Sequence, residues 1–534
     1  MAVGITEIYD YLKYKGGVPS DLLIDPSYYH SHQISSLTVL LLERWKDNHK
    51  DLLNKIWKIY PEIYDFSRVA YGEHKAIRKP LIPKTEFLEI LKLTSEKKQL
   101  GPKLVNLVVE EFTLGRLDLN FLGFWLMLIH EKGLSDIDTV SLTHALKNSG
   151  KIYDYRQSPF FNGRQVIRRY PSGALSEKVA LILPSLLVET SELYPICSPF
   201  LIAKSLGFTG GTWDKLSSIP GFSFPEPGEE TIETMVKCGV AMTVTREDLC
   251  PADRKLYQFR SVTGTVESLE LAVSSIASKQ LAVPAHLLLM DVRTGPGSFF
   301  PDHDKAIQLG SKIKEILEES GIPTLVETTE MLQPNGSSVG NALEVDEAFK
   351  ILGIKSPILW NNQGLEEQKK IVIKFYAQLM SYLYPNKSLE KWQKFGQWLF
   401  DSGKVRKGLK SLLEAHGVQD EVISKILDGK FIEILGINPT GFEILSSKEG
   451  IYKDLDQRTL GNIVNFDLGG GGNDYGGVFD PKTGIVLNCR LGDQVKKNDV
   501  LCRILSNNPT QVKIVWPDIK EKLFSCFTIE EVIE

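Results

Sequence analysis

Ser275 and Lys279 stand four residues apart in a helical segment, which puts both side chains on one face. Just upstream, Pro251-Ala252-Asp253-Arg254-Lys255-Leu256-Tyr257-Gln258-Phe259-Arg260 brings a guanidinium and a phenol. Arginine and lysine can only donate hydrogen bonds, whereas a serine hydroxyl can also accept. Arg260, Ser275 and Lys279 can therefore donate to two carbonyl oxygens and accept from the N–H between them, the pattern on the edge of uracil or thymine. The two cations would also stabilise negative charge on that ring as it leaves. Taken alone, Lys279 reads equally as a solvated helix lysine.

Three glycine-containing stretches could approach an anion: Gly207-Phe208-Thr209-Gly210-Gly211-Thr212-Trp213-Asp214-Lys215, Gly295-Pro296-Gly297-Ser298-Phe299, and Gly469 to Gly472. Glycine lets backbone come close to a ligand and threonine adds a donor, so the first could cradle a phosphate. A tight turn beside a helix explains the same residues without a ligand.

The elements that must hold these groups follow from the hydrophobic pattern. A helix is expected from Thr85, with Phe87, Ile90 and Leu91 on one face. Another starts at Ser135, has Asp138 at its third position and stops at Gly150. Strand-like Leu287 to Asp291, a helix over Lys305 to Ser320, strand-like Pro323 to Thr328 and a helix from Asn341 to Leu352 then alternate, which implies a parallel sheet with helical crossovers. From about residue 435, short runs such as Gly484 to Asn488 and Val500 to Leu505 imply a smaller β-rich domain. The fold class expected is multi-domain α/β. A helical N-terminal extension spans 1–85 and an α domain 86–160, completed by about 252–282. An α/β anion-binding domain with a mostly parallel sheet spans 161–434, and a β-rich domain 435–534.

Composition bounds the function. A chain of 534 residues exceeds one core. Its 42% hydrophobic and 24% charged residues exclude disorder and low-complexity behaviour. With 62 Lys plus Arg against 67 Asp plus Glu, the net charge of -5 offers no global field for nucleic acid or an anionic membrane. Met1 to Lys13 carries Glu7 and Asp10 and lacks the pattern of a secretory signal, and Val179 to Val188, interrupted by Pro184, is far short of the ~20 residues that span a bilayer. A cytoplasmic location is the expectation. Six scattered cysteines (Cys197, Cys238, Cys250, Cys489, Cys502 and Cys526) form no CxxC pair and have no histidine at ligand spacing, so they read as reduced core residues with no metal site. The first 85 residues hold 8 of the 18 tyrosines. A base-stacking platform is one reading of that interleaving, and a packed helical face or subunit contact the better one.

Four segments together carry a resemblance: Gly207 to Phe222 (GFTGGTWDKLSSIPGF), Pro251 to Lys279, Asp291 to Phe299 (DVRTGPGSF) and Gln333 to Val345 (QPNGSSVGNALEV). In type, order and spacing the sequence resembles the thymidine and pyrimidine-nucleoside phosphorylases, with archaeal AMP phosphorylase and the anthranilate phosphoribosyltransferases as more distant relatives. The likeness runs from about residue 86 to the C-terminus. Asp480 to Gly492 and Asp493 are similar to that family's end domain, a barrel-sandwich fold like lipoyl carriers, although no modifiable lysine stands at the expected hairpin tip.

The resemblance implies phosphorolysis of a pyrimidine nucleoside to free base and pentose 1-phosphate. It places the base on the small α domain and phosphate on the α/β domain, with domain closure between them. By position, Tyr257, Arg260, Ser275 and Lys279 match base-binding residues, Phe299 an apolar contact to the base, and Thr212 a phosphate-binding hydroxyl. The resemblance further implies inorganic phosphate as co-substrate, no other cofactor, a homodimer, and in some relatives a potassium ion beside the glutamate matching Glu344. An exposed helical glutamate is the alternative for Glu344.

The phosphate loop departs from the family form. Lys-His-Ser-Thr-Gly-Gly-Val-Gly-Asp is replaced by Arg169-Tyr170-Pro171-Ser172-Gly173-Ala174-Leu175-Ser176-Glu177, Ala180 stands at a later serine, and Ile202 at a further one. Three hydroxyl donors are lost, each worth about 1.5 to 3 kcal/mol to a charged ligand. Arg168, Arg169 and Lys204 bring positive charge and Ser172 and Ser176 hydroxyls, so that Arg169, Ser172, Thr212 and Lys204 are the candidate phosphate ligands, and Tyr170, with Arg260 and Lys279, the candidate catalytic group. Two readings stay open: a glycosyl-transfer enzyme with an altered anion pocket, and a non-catalytic protein that binds a pyrimidine nucleoside or nucleotide and assembles or signals through its N-terminal module.

Overall fold

A computed structural model describes residues 84–531, apart from 206 and 472–478. The helical extension expected over 1–85 lies almost wholly outside the described residues. The chain divides into two compact units, one of Met1–Ala145 with Ala252–Ser268, the other of Leu146–Pro251 with Leu269–Glu534.

The first unit is helical. Helices Lys84–Ser95, Pro102–Thr113 and Leu119–Lys132 bury Ile90, Val105, Leu122, Trp125 and Ile129, and the Trp125 indole donates to Thr94 Oγ1 at 3.2 Å. The expected start at Ser135 is present. The Asp138 amide donates to Ser135 Oγ (3.1 Å), the Ser135 hydroxyl donates back to Asp138 Oδ2 (2.7 Å), and helix Asp136–Asn148 follows. Asp138 also accepts from the amides of Leu100 (2.9 Å) and Gly101 (2.8 Å), so one cap fixes two helix starts. Helix Pro251–Thr263 completes this unit.

The second unit is built on a parallel sheet of β1 (Gln165–Pro171), β2 (Ile196–Ile202), β3 (Val240–Val244), β4 (Leu287–Thr294) and β5 (Thr324–Glu330), in the order β3-β2-β1-β4-β5. Both faces are covered, so β4 is buried throughout and opens on the continuous apolar run Leu287 to Met290. Helix Val179–Ser191 continues through Pro184. With helix Asn362–Leu383 it covers the face of Ile167 and Leu289. Helices Leu269–Ala282 and His303–Glu319 flank β4 in sequence. In an open parallel sheet, ligands collect at the strand C-termini where the order reverses, and here that point lies between β1 and β4.

Two antiparallel sheets are built from the strands beyond residue 437 together with the short β6 (Ser338–Val339), which precedes them in the chain. One orders β6, β9 (Gly484–Leu487), β11 (Val500–Ser506) and β7 (Asn438–Leu445). The other orders β10 (Gln494–Val495), β8 (Gly450–Leu455) and β12 (Phe527–Glu530). Their shared core of Tyr452, Ile485, Ile504, Ile519 and Leu523 also takes in Leu175 and Phe208 from loops of the parallel-sheet region. All six cysteines are buried in the core. Among the described residues no helix is long and apolar enough to cross a membrane.

Candidate active site

The loop after β1 emerges at the switch point. Pro171 is in register with Asp291 of β4, the Ser172 amide donates to the Asp291 carbonyl (2.9 Å), and Ser172 Oγ accepts from the Arg293 amide (2.8 Å). Ser172 remains half-buried and its hydroxyl hydrogen is free of that bond. Gly173 turns the chain with φ +97°, and a side chain there would strike the Phe299 ring. The Leu175 amide then donates to the Gly297 carbonyl at 2.8 Å. The first and second glycine stretches therefore meet around Phe299, whose ring lies 5.2 Å from that of Phe208.

Strand alternation sends neighbouring arginines to opposite faces. Arg169 donates through Nη2 to Glu177 Oε1 (3.0 Å) and to Asp291, and its Cζ lies 5.7 Å from the Phe375 ring centre. Asp291 also accepts from Arg293 Nε (2.8 Å) and from Thr329 Oγ1 (3.0 Å). Burial opposes the charge of Glu177, but Arg169, Arg293 and Lys215 outweigh it and hold the carboxyl at about 2. Burial likewise opposes the charge of Arg169, which Glu177 and Asp291 nonetheless keep above its ordinary range. The Arg169 charge is thus shared with two carboxylates, a setting the sequence did not reveal because Asp291 is 122 residues away.

Thr212 opens the short helix Thr212–Leu216, half-buried, after Gly211. A side chain at Gly211 would collide with the backbone of Ala203 to Ser205, so this glycine is required by close packing of the chain on itself. Asp214 holds the turn by accepting from the amides of Ser205 and Gly211, and burial raises its carboxyl to about 6. Lys204 is exposed with its Nζ 5.0 Å from the Trp213 ring centre. Lys215 Nζ reaches the Glu177 carbonyl (2.7 Å) and Glu344 Oε2 (2.8 Å), while the Gly340 amide donates to Glu344 Oε1 (3.2 Å). Glu344 is consequently buried and paired with an ammonium, and the exposed helical glutamate entertained for it does not occur.

Ser275 and Lys279 lie in helix Leu269–Ala282, as the four-residue spacing requires. Lys279 Nζ donates to Ser275 Oγ at 3.1 Å and to its carbonyl at 3.2 Å. Ser275 is buried and Lys279 half-buried, so Lys279 is not a solvated lysine. In the first unit, Arg260 is buried, donates through Nη2 to the Val266 carbonyl (2.7 Å), and sets its Cζ 5.7 Å from the Tyr257 ring centre. Burial lowers the Arg260 pKa, with Asp253 and Tyr257 opposing. Tyr170 is half-buried at the end of β1. Among the described residues no cluster of His, Cys, Asp and Glu could hold a metal ion.

The C-terminal region grips the same loops. Arg458 Nη2 donates to the Ser298 carbonyl (3.0 Å) with its Cζ 5.1 Å from the Phe208 ring centre, Asn465 Nδ2 donates to the Gly207 carbonyl (2.8 Å), and Gln457 Nε2 to the Met331 carbonyl (2.8 Å). None of these three residues carried a signal in the sequence, because their partners are carbonyls distant along the chain.

Comparison with known proteins identifies the family. The family model described as pyrimidine nucleoside phosphorylase C-terminal domain matches residues 451–524. A pyrimidine-nucleoside phosphorylase of Geobacillus stearothermophilus is 29% identical over 436 residues, covering 80% of this chain and 94% of that protein. One of Staphylococcus epidermidis (strain ATCC 12228 / FDA PCI 1200) is 30% identical over 410 residues, covering 76% and 87%. A thymidine phosphorylase of Colwellia psychrerythraea is 29% identical over 422 residues, covering 78% and 90%. Among solved structures, anthranilate phosphoribosyltransferase from Thermus thermophilus aligns with a TM-score of 0.43 at 13% identity over 61% of this chain and 98% of that one. The match at 30% identity over most of a relative's length, in a chain that also carries the end domain, makes this protein a member of the pyrimidine-nucleoside phosphorylase family.

Proposed function

We propose that the chain is a pentosyltransferase that splits a uracil- or thymine-containing nucleoside or nucleotide with inorganic phosphate, releasing free base and a pentose 1-phosphate, through an altered anion pocket. The observation that carries the reading is the Ser275–Lys279 pair, joined at 3.1 Å on one helix face, in a chain whose relatives named for this activity align over 80% of its length.

The glycosidic C–N bond breaks through an oxocarbenium-like state, its electron pair goes to the base, and a phosphate oxygen bonds to the sugar carbon. Arg260 and Lys279 stabilise the charge that develops on the base, Ser275 accepts from the ring N–H, and Tyr257 and Phe299 flank the ring. Tyr170 stands where the family has histidine and donates a hydrogen bond to a base oxygen; a phenol with pKa near ~10 does so without ionising. Ser172, Thr212 and Lys204 bind the phosphate. Arg169, tied to Glu177 and Asp291, shapes the loop that carries them. Glu344 is neutralised within the chain by Lys215, and no potassium ion is invoked there. The working unit is a homodimer that takes no nucleic acid, in keeping with a net charge of -5.

The test is release of uracil or thymine from the nucleoside as a function of phosphate, with arsenate substituted as a check on phosphorolysis. Turnover that tracks the anion supports the proposal, and turnover without phosphate would make the protein a hydrolase. Absence of turnover, together with nucleoside-induced thermal stabilisation that Arg260→Ala abolishes, would favour the binding protein.

A further inference from the structure

The parallel-sheet region buries five cations, and four of them have a carboxylate. Arg169 and Arg293 share Asp291 and Glu177, Lys178 lies 3.1 Å from Glu347, and Lys215 lies 2.8 Å from Glu344. Arg168 is the exception among the described residues of that region. Its side chain is 2% exposed and forms no ion pair, and its one hydrogen bond, through Nη1, goes to the Val283 carbonyl. Its Nε is buried with no partner at all. The ionisable groups that face it are the phenols of Tyr155 and Tyr170, and burial lowers its own pKa to about 10.

A guanidinium removed from water with nothing of opposite charge beside it is unfavourable, which is why buried charges are ordinarily paired. The Val283 carbonyl sits just past the end of helix Leu269–Ala282 and brings the partial negative charge of a helix C-terminus, which falls short of a full counter-ion. The position of Arg168 bears on what could supply that charge. Arg168 shares its sheet face with Tyr170, two residues on. Val283 follows Ser275 and Lys279 at the same four-residue interval, so Arg168 meets the end of the helix face that carries that pair.

We infer that Arg168 is a binding residue for an oxyanion ligand, which supplies the counter-charge the chain withholds. The inference rests on the pyrimidine reading above and extends it: the anion is either the free phosphate or an acidic group borne by the pyrimidine itself. An arginine fork suits either, since two N–H groups can meet two oxygens of one phosphate or carboxylate.

The experiment is thermal denaturation of the full chain and of Arg168→Met and Arg168→Lys, each alone and with inorganic phosphate, uracil or 6-carboxyuracil, alongside KM and kcat for phosphate. Without ligand, Arg168→Met is expected to melt no lower than the parent, because an apolar side chain of similar length removes an unpaired charge. It is expected to lose the Tm increase given by the anionic probe while keeping that given by uracil, and Arg168→Lys to retain part of the anionic shift. Loss confined to phosphate identifies the free anion and at least a tenfold rise in KM for phosphate with kcat little changed. Loss confined to 6-carboxyuracil identifies an acidic pyrimidine. If Arg168→Met responds to both anions as the parent does, or the parent responds to neither, the inference is wrong. Base release that depends on phosphate, by a parent that fails the anion test, would leave the phosphorylase reading standing, so the two failures are distinguishable.

Discussion

Lys279 and Ser275 show how one local spacing becomes chemistry. The four-residue interval gives the shared face, and burial of the serine makes the pair a directed donor and acceptor rather than two solvated groups. Lys279→Ala is expected to lower kcat/KM for phosphorolysis by on the order of 10² to 10³, the usual cost of removing a donor aimed at developing negative charge, with little change in Tm. Glu177 belongs to the same scale but acts on stability. Its folded pKa of about 2 lies below the ordinary glutamate value of 4.5, so between these values the unfolded chain binds more protons. Its contribution is present above about pH 4.5 and is lost as pH falls toward 2. Urea midpoints measured across that window should drop on acidification, and Glu177→Gln should flatten that part of the profile. The residue types at 168 and 169 were plain from the sequence, but their environments were not. Two adjacent arginines look alike until Asp291, 122 residues away, neutralises one and leaves the other.

At the scale of elements, caps and glycines were the legible features. The Ser135–Asp138 reciprocal cap, β4, β5, helix His303–Glu319 and helix Asn341–Ile351 fall within a few residues of where periodicity and punctuation put them. Helix Val179–Ser191 carries Pro184 within it, and its near-complete burial outweighs the hydrogen bond lost there. The glycines at 210 and 211 were open to two explanations, ligand approach and tight packing. For Gly211 the second is demonstrated, since a methyl group there meets the backbone of Ala203 to Ser205. Gly211→Ala is accordingly expected to destabilise the protein by roughly 3 kcal/mol, readable as a lower denaturant midpoint with unchanged m-value. A loop that merely lacked a ligand contact would show no such loss.

For the whole molecule, the C-terminal region belongs to the same compact unit as the parallel sheet and braces its loops. Leu175 and Phe208 are buried in its core, β6 pairs with β9, and Arg458 and Asn465 hold the loops at Ser298 and Gly207. Truncation after Ile437 would expose this apolar surface and free three loops at once. The shortened chain should lose any phosphate-induced rise in Tm and aggregate, as size-exclusion chromatography would show, and a truncated chain that stays unaggregated and keeps that rise would refute the scaffold role. The sequence by itself determined the family, the alternation of strands and helices, and which residue types stand at the proposed base-binding positions, because these depend on order and on periods of two and four residues. The tertiary structure alone decided which charges are spent on one another, which glycines are demanded by packing, and which loops the end domain holds. Each of those depends on ångström-scale distances between segments far apart in the chain, and burial makes such distances decisive by removing the water that would otherwise solvate every charge alike.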